Sequence, residues 1–190
     1  MKNKMDSTEW NLARHKGVQN FVYFAYGSNM LIKKLHSPKR CPSAEKIGMC
    51  KIPKHNLKFH KVSKKDHSGK CDCESTESET AEVYGVLFRI PKSEQTKLDE
   101  IEGLGKGYEK KPIPVTTIEE GKDTAVMYYA TDEAKDPNKK PYVWYLNQVI
   151  EGAKENCLPD DYIAKIRKVA ADEDPDRVRH ATEAALYNGI

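Results

Sequence analysis

Apolar and polar residues alternate in several short runs along the first two thirds of the chain, and this two-residue period predicts β-strands. The runs rich in β-branched and aromatic residues predict strands at 21–26, 82–90, 113–118 and 124–131. A looser alternation over 47–62 predicts one or two more strands. The EEGKD sequence at 119–123 is typical of a hairpin turn between the last two strands. Gly85, inside the second run, indicates a bulge or the close approach of another group.

A period of three to four residues replaces this alternation in other segments and predicts helices. These segments are 30–35, 93–102, 142–155, 162–170 and 176–187. Pro38 ends the first helix. In the second, Ser93 is the predicted N-cap and Gly103 the predicted left-handed stop. Because no regular helix separates consecutive strands, the pattern favours an α+β fold over a doubly wound sheet.

The length of 190 residues allows one domain with a substantial core and is too short to predict two. We expect this domain to span 20–172, after a polar N-terminal segment at 1–19. The sequence SKKDHSGKCDCESTESET at 63–80 has no apolar period and predicts an exposed polar loop. Residues 173–190 are predicted to form a helical C-terminal tail.

The charge distribution argues against polyanionic partners. A net charge of +3 arises from 32 basic and 29 acidic residues scattered along the chain, so no strong field of one sign attracts nucleic acid or a membrane surface. The charged N-terminal segment does not resemble a secretory signal, and no stretch approaches the length of a membrane span. Five irregularly spaced cysteines do not suggest a disulfide framework. The sequence therefore predicts a soluble, cytoplasmic protein with reduced thiols.

Several familiar catalytic motifs are missing from the sequence: it has no phosphate-binding GxxxxGK[ST] loop, no HExxH, no GxSxG and no GxGxxG after a strand. Cys71 and Cys73 form a CxC without a second pair at zinc-like spacing, and we interpret them as two exposed thiols. Cys157 is interpreted as a small buried or half-buried thiol rather than a nucleophile. We expect no metal site and no cofactor.

The stretch YFAYGSN begins as an apolar strand and stops on Gly27, Ser28 and Asn29. A glycine at this point lets the backbone turn with its N–H groups pointing outward, which would form a small anion site if a helix began at once. The alternative is an ordinary strand-to-helix turn with Ser28 or Asn29 as the N-cap. The residues alone leave both interpretations open.

A carboxylate near the end of the second predicted helix is a candidate general base. Leu98 and Ile101 define the inward stripe of this helix, and Glu102 lies beside that stripe, whereas Asp99 and Glu100 are predicted to point away. The helix dipole disfavours negative charge at a C-terminus, and partial burial would raise the pKa of such a carboxyl. The alternative is a solvated carboxylate in front of a glycine cap.

Together these segments resemble the γ-glutamylcyclotransferase family. The resemblance rests on the YGSN signature at 26–29, the strand VYGV at 83–86, the helix motif LDEIEG at 98–103 followed by Gly107 and Tyr108, and GAKENCLP at 152–159. The order and spacing of these motifs match over about residues 20–170. The chain is more similar to the enzyme acting on γ-glutamyl amino acids than to the γ-glutamylamine-specific or glutathione-specific ones.

The resemblance implies a small mixed β-barrel flanked by helices, a homodimer, and conversion of γ-glutamyl amino acids to 5-oxoproline and the free amino acid without a cofactor. The α-amine of the small-molecule substrate would attack its own γ-amide carbonyl, with Glu102 as the catalytic acid and base. The implied substrate-binding residues are Tyr23, Phe24, Ala25, Tyr26, Gly27, Ser28, Tyr108, Tyr128 and Tyr145. Tyr129 remains an alternative to Tyr128, because neighbouring residues of a strand face opposite sides.

Two departures from the family pattern leave the preference for the leaving group open. The polar insertion at Cys71–Cys73 replaces a more regular strand, and the link between Glu102 and Tyr108 is about one residue shorter. Two alternative functions follow: a non-catalytic binding protein that retains the fold, and a cyclotransferase specific for γ-glutamylamines or glutathione.

Overall fold

The computed structural model describes residues 19–117 and 121–188. The polar segment predicted at 1–19 therefore lies outside the described residues except for Gln19, and so do Ile118 and the first residues of the predicted hairpin turn. Residues 19–117 and 121–188 contain no helix long and apolar enough to cross a membrane.

Every strand run predicted from the sequence forms a strand. The strands are β1 (Asn20–Ala25), β2 (Glu45–Pro53), β3 (His55–Val62), β4 (Gly69–Ser75), β5 (Glu82–Pro91), β6 (Tyr108–Thr117) and β7 (Gly121–Ala130). Five of them form one sheet in the order β2-β5-β1-β7-β6, and β3 pairs with β4. Central β1 runs antiparallel to β5 and parallel to β7, and β6 and β7 form the predicted antiparallel hairpin.

The mixed α+β class is confirmed, but the sheet is not closed into the predicted barrel. Its two edges are β2 and β6, which come near each other without pairing as neighbours. Pro112 and Pro114 of β6 have no backbone N–H to donate across that gap. The sheet therefore curves towards closure and stops short of it.

The predicted exposed loop at 63–80 is wrong, because β4 runs through it. Cys71, Asp72 and Cys73 are 2%, 1% and 1% exposed, so the two thiols predicted to be exposed are buried. The polar character of the segment hides the strand, since buried Asp72 is satisfied by His60 Nε2 at 2.9 Å and by the N–H of Ala130 at 2.8 Å. Cys157, which the sequence suggested was buried or half-buried, is exposed.

The predicted helices form with small shifts at their ends. They are α1 (Ile32–Leu35), α2 (Gln95–Glu102), α3 (Val143–Glu155), α4 (Asp160–Arg167) and α5 (Arg177–Ala184), with 3-10 turns at Ser28–Met30, Lys92–Glu94 and Asp132–Ala134. Ser93 is not the N-cap of α2, because the 3-10 turn after Pro91 includes it and the helix begins two residues later. Gly103 ends α2 in the left-handed region with φ 75°, as predicted.

The C-terminal tail is helical, as predicted, and contacts α3 through buried polar groups. Asp174, which is 0% exposed, accepts a hydrogen bond from Trp144 Nε1 at 2.7 Å and one from Arg179 Nε at 2.7 Å. Gln148 Nε2 donates to the backbone carbonyl of Glu183 at 3.0 Å. These contacts join the tail to the helix that supplies one wall of the cavity described below.

The position of β1 depends on a close approach at Gly85, which the sequence predicted. A Cβ built on Gly85 would lie 2.4 Å from the carbonyl oxygen of Ala25 and 2.7 Å from the ring of Phe24. Both neighbours are fully buried and have no room to move. The end of β1 can therefore pack this close to β5 because Gly85 has no side chain.

Gly85→Ala is expected to lower the free energy of unfolding by about 3 kcal/mol, because backbone and a packed ring would have to shift. Gly48→Ala in β2 is the matched control, since its Cβ would meet nothing within 4 Å. Urea denaturation of both variants measures the difference. Equal stability of the two would contradict the close approach.

Candidate active site

A small cavity opens where the end of β1 meets the C-terminal end of α2. Its volume is about 40 Å³. The residues lining it are Tyr23, Tyr26, Gly27, Ser28, Asn29, Cys71, Glu102, Tyr108, Tyr128 and Tyr145. Segments far apart in the sequence therefore meet at one place.

Most residues predicted to bind substrate line this cavity, and two do not. Phe24 and Ala25 are 0% exposed and lie in the hydrophobic core. Alternation along β1 explains the position of Phe24, because its neighbour Tyr23 points towards the cavity. The prediction that Phe24 and Ala25 contact substrate therefore has no support from the cavity.

The choice between Tyr128 and Tyr129 is decided by their burial and partners. Tyr128 is 2% exposed, lines the cavity, and donates a hydrogen bond to Asp99 Oδ1 at 2.5 Å. Tyr129 faces outward and donates to Glu109 Oε2 at 2.8 Å. Asp99 was predicted to point away from the inward stripe, yet it contacts the cavity residue Tyr128 and also pairs with Lys110 at 2.9 Å.

The carboxylate of Glu102 is held inside the cavity by two donors. Its Oε1 accepts a hydrogen bond from Tyr23 Oη at 2.9 Å and one from Asn29 Nδ2 at 2.5 Å. Asn29 Oδ1 in turn accepts from Arg40 Nη1 at 2.9 Å. Glu102 is therefore partly buried and hydrogen-bonded, and the alternative of a solvated carboxylate is wrong.

The pKa of Glu102 is raised because burial disfavours its charged form. The Arg40 guanidinium opposes this rise most strongly, followed by the hydrogen bond from Tyr23 and the charges of Lys34 and Lys61. The rise in pKa remains after these contributions. A carboxyl group of this kind is suited to take up a proton and return it.

The turn after β1 contributes Gly27 and Ser28 to the lining of the cavity. In residues 19–117 and 121–188, the N–H groups of Gly27 and Ser28 have no acceptor, whereas the N–H of Met30 donates to the carbonyl of Gly27 at 3.0 Å. Neither Ser28 nor Asn29 caps a helix, because Gly27 occupies the cap position of the 3-10 turn and Asn29 binds Glu102. The N-cap interpretation is therefore wrong, and two amides remain available to an acceptor.

Strand β4 fixes two of the cavity tyrosines through the backbone of one residue. The N–H of Cys71 donates to Tyr145 Oη at 3.1 Å, and Tyr108 Oη donates to the carbonyl of Cys71. Burial raises the pKa of both tyrosines, so their hydroxyl groups stay neutral. The strand that the sequence analysis missed is thus one wall of the site.

Sequence reasoning did not assign Asn29, Arg40 or Cys71 to the site. Asn29 had a signal, since it is the last residue of the YGSN signature. Arg40 and Cys71 had none, because each reaches the site only through contacts between distant segments.

A second group of polar residues has the composition of a metal site. Ligand atoms of His60, Asp72 and Glu74 lie within 4.8 Å of one another. However, Lys135 Nζ lies 3.8 Å from Asp72 Oδ2, and Asp72 already accepts from His60 and from the backbone. We interpret the group as a satisfied buried ion pair.

The fold and the cavity define a class of protein: a mixed α+β domain in which a partly buried, hydrogen-bonded carboxylate lies beside a turn whose amides have no acceptor among the described residues. An AIG2-like family model matches residues 82–166. Gamma-glutamylcyclotransferases from mouse and human are each 32% identical to this chain over 176 residues. Each match covers 90% of this chain and 90% of the relative. A solved gamma-glutamyl cyclotransferase structure has a TM-score of 0.77 at 29% identity and covers 90% of this chain and 100% of its own. This chain therefore belongs to the γ-glutamylcyclotransferase family.

Arg40→Met is expected to raise the pKa of Glu102 further, because the largest opposing charge is lost. The ¹³C resonance of the Glu102 carboxyl, assigned by comparison with Glu102→Gln, reports this pKa in a pH titration. Lys39→Met is the control, since Lys39 is the exposed neighbour of Arg40. An unchanged titration in Arg40→Met would show that the guanidinium does not act on the carboxylate.

Proposed function

We propose that this protein converts γ-glutamyl amino acids to 5-oxoproline and the free amino acid. Membership of the γ-glutamylcyclotransferase family supports an enzyme of this type. The observation that carries the proposal is the meeting of Glu102, with its raised pKa, and the unpaired amides of Gly27 and Ser28 in one cavity.

The substrate supplies its own nucleophile. In a γ-glutamyl amide, the α-amine and the γ-carbonyl are separated by the distance that closes a five-membered ring. Holding the substrate in that conformation is equivalent to an effective molarity on the order of 10⁵ M, or about 7 kcal/mol of the barrier. The rigid tyrosine wall around the cavity is suited to select such a conformer.

Glu102 then transfers the protons of the reaction. The α-amine enters as an ammonium and loses one proton to become nucleophilic and another as the new C–N bond forms. The departing nitrogen gains one proton as the old C–N bond breaks and a second one to leave as an ammonium. A single carboxylate can accept a proton from the first nitrogen and deliver it to the second. General acid–base transfer of this kind contributes about 10² to 10⁴-fold.

The amides of Gly27 and Ser28 bind the negative oxygen atoms of the substrate. They would stabilise either the oxyanion on the attacked carbonyl or the α-carboxylate of the glutamyl group. One such donor to an oxyanion contributes about 3 kcal/mol. Because the turn is held between β1 and Glu102 through Asn29, these donors need not reorganise during the reaction.

The finer predictions on assembly and location form part of the same proposal. We infer a homodimer from the family resemblance. We infer a location in the cytosol from the irregular spacing of the five cysteines. Light scattering on the purified chain measures the assembly directly, and a mass near 21.6 kDa would contradict the dimer.

The folded protein is expected to release 5-oxoproline from γ-glutamyl-alanine faster than from γ-glutamyl-lysine or glutathione. Competitive turnover of the three substrates, followed by chromatography, ranks them. Release only from one of the other two compounds would indicate a γ-glutamylamine or glutathione specialist. No product from any of them would favour a binding protein that retains the fold.

Glu102→Gln is expected to lower kcat by about 10² to 10⁴-fold while substrate still binds, because the amide cannot exchange a proton. Glu100→Gln is the matched control, since Glu100 lies in the same helix and is exposed. Steady-state kinetics and calorimetric binding separate the two effects. Near-normal turnover by Glu102→Gln would remove Glu102 from its role.

A further inference from the structure

Lys61 of β3 lies against the wall of the cavity. It is 7% exposed, and its Nζ lies 4.5 Å from the ring centroid of the cavity residue Tyr108. The space for its side chain comes from Gly107, where a Cβ would lie 3.2 Å from Lys61 Cε and 3.7 Å from Nζ. Gly107 also has φ +117°, a backbone conformation that other residues rarely adopt.

Lys61 is a buried lysine that forms no ion pair among residues 19–117 and 121–188. Its cross-strand neighbour is Lys70, and the pKa of Lys61 is lowered first by burial and then by the charge of Lys70. Lys70 has a partner, since its Nζ lies 2.9 Å from Asp66 Oδ2, and Lys34 lies 3.5 Å from Glu183 Oε2. Among residues 19–117 and 121–188, no carboxylate forms an ion pair with Lys61. Of these three lysines, Lys61 is therefore the one whose ammonium group has no carboxylate partner among the described residues.

Glu102, the carboxylate of the cavity, does not pair with Lys61. The two groups are close enough that the charge of Glu102 raises the pKa of Lys61 and the charge of Lys61 lowers that of Glu102. However, Oε1 of Glu102 is bound by Tyr23 and Asn29, and among residues 19–117 and 121–188 neither of its oxygens forms an ion pair with Lys61. A buried ammonium without a counter-ion is unfavourable, so an arriving carboxylate would gain a strong charge-assisted contact.

We propose that Lys61 binds the carboxylate of the amino acid that leaves the substrate. The proposal rests on the proposed function, because it assigns a role in substrate binding to a residue that lies beside Tyr108, one of the residues lining the cavity. A γ-glutamyl amino acid carries two carboxylates, and the amides of Gly27 and Ser28 offer a place for only one of these or the oxyanion. Lys61 supplies a cation for the second, across the ring of Tyr108.

This assignment makes Lys61 a specificity determinant. A γ-glutamylamine without a carboxylate on the leaving group would leave the ammonium buried and unpaired. A tripeptide places its terminal carboxylate one residue, about 3.5 Å, further out. The site is therefore matched to a single amino acid as the leaving group.

Two substrates and three variants test the assignment. γ-Glutamyl-alanine and γ-glutamyl-ethylamide differ only in the leaving-group carboxylate. Lys61→Met keeps the length of the side chain and removes its charge, Lys61→Arg restores a charge, and Lys65→Met is the exposed control in the following loop. Turnover of both substrates by all variants gives kcat and KM separately.

Lys61→Met is expected to lower kcat/KM for γ-glutamyl-alanine by about 10- to 100-fold, mostly through KM, because a hydrogen bond to a charged group is lost. Turnover of γ-glutamyl-ethylamide should change less than about twofold, since that substrate has no carboxylate to lose contact with Lys61. Lys61→Arg should recover part of the loss. The thermal midpoint of Lys61→Met should stay level or rise, because the variant removes an unpaired buried charge.

Equal losses on both substrates, or no loss on either, would overturn the role of Lys61 and leave the proposed function intact. A fall in the thermal midpoint together with equal losses would assign Lys61 to structure alone. A wild-type protein that turns over neither substrate would instead refute the proposed function, and this inference with it.

Discussion

The structure of the site depends on one constraint: a carboxylate held at the C-terminal end of a helix, where neither the helix dipole nor burial favours its charge. Glu102 is stabilised in this position because Tyr23 and Asn29 donate hydrogen bonds to it and Arg40 donates one to Asn29. The same contacts fix the strand-end turn against the helix. The groups that keep the acid in place therefore also hold the turn of Gly27 and Ser28 at the cavity.

The β3–β4 pair supplies another part of the cavity wall through Cys71. The backbone of Cys71 binds the hydroxyl groups of Tyr108 and Tyr145, so two rings that shape the cavity are fixed by main-chain atoms. The neighbouring side chain of Lys61 brings a positive charge to the same wall. The acid at the end of α2, the amides of the turn after β1 and the lysine of β3 thus come from three different elements, as a substrate with several charged groups requires.

Much of the fold was predictable because its signals are local. Aromatic and β-branched runs mark β1 and β5, the glycine stop at Gly103 ends α2, and the period of 142–155 marks α3. Strand β4 was missed because its polar residues resemble a loop until His60 and the N–H of Ala130 satisfy Asp72. The predicted barrel is an open sheet, because the sequence of β2 or of β6 alone does not show whether the two edge strands pair.

The sequence by itself determined the strand that precedes the turn at Gly27, the helix that ends on Glu102, and the family to which their spacing points. These features depend on backbone preferences and short-range periodicity, which each segment carries alone. Only the tertiary structure decided which tyrosine of the pair Tyr128 and Tyr129 faces the cavity, which residues hold Glu102, and that Lys61 has no ion-pair partner among the described residues. The physical reason is that strand register, burial and ion pairing are properties of contacts between segments, and no single segment encodes them.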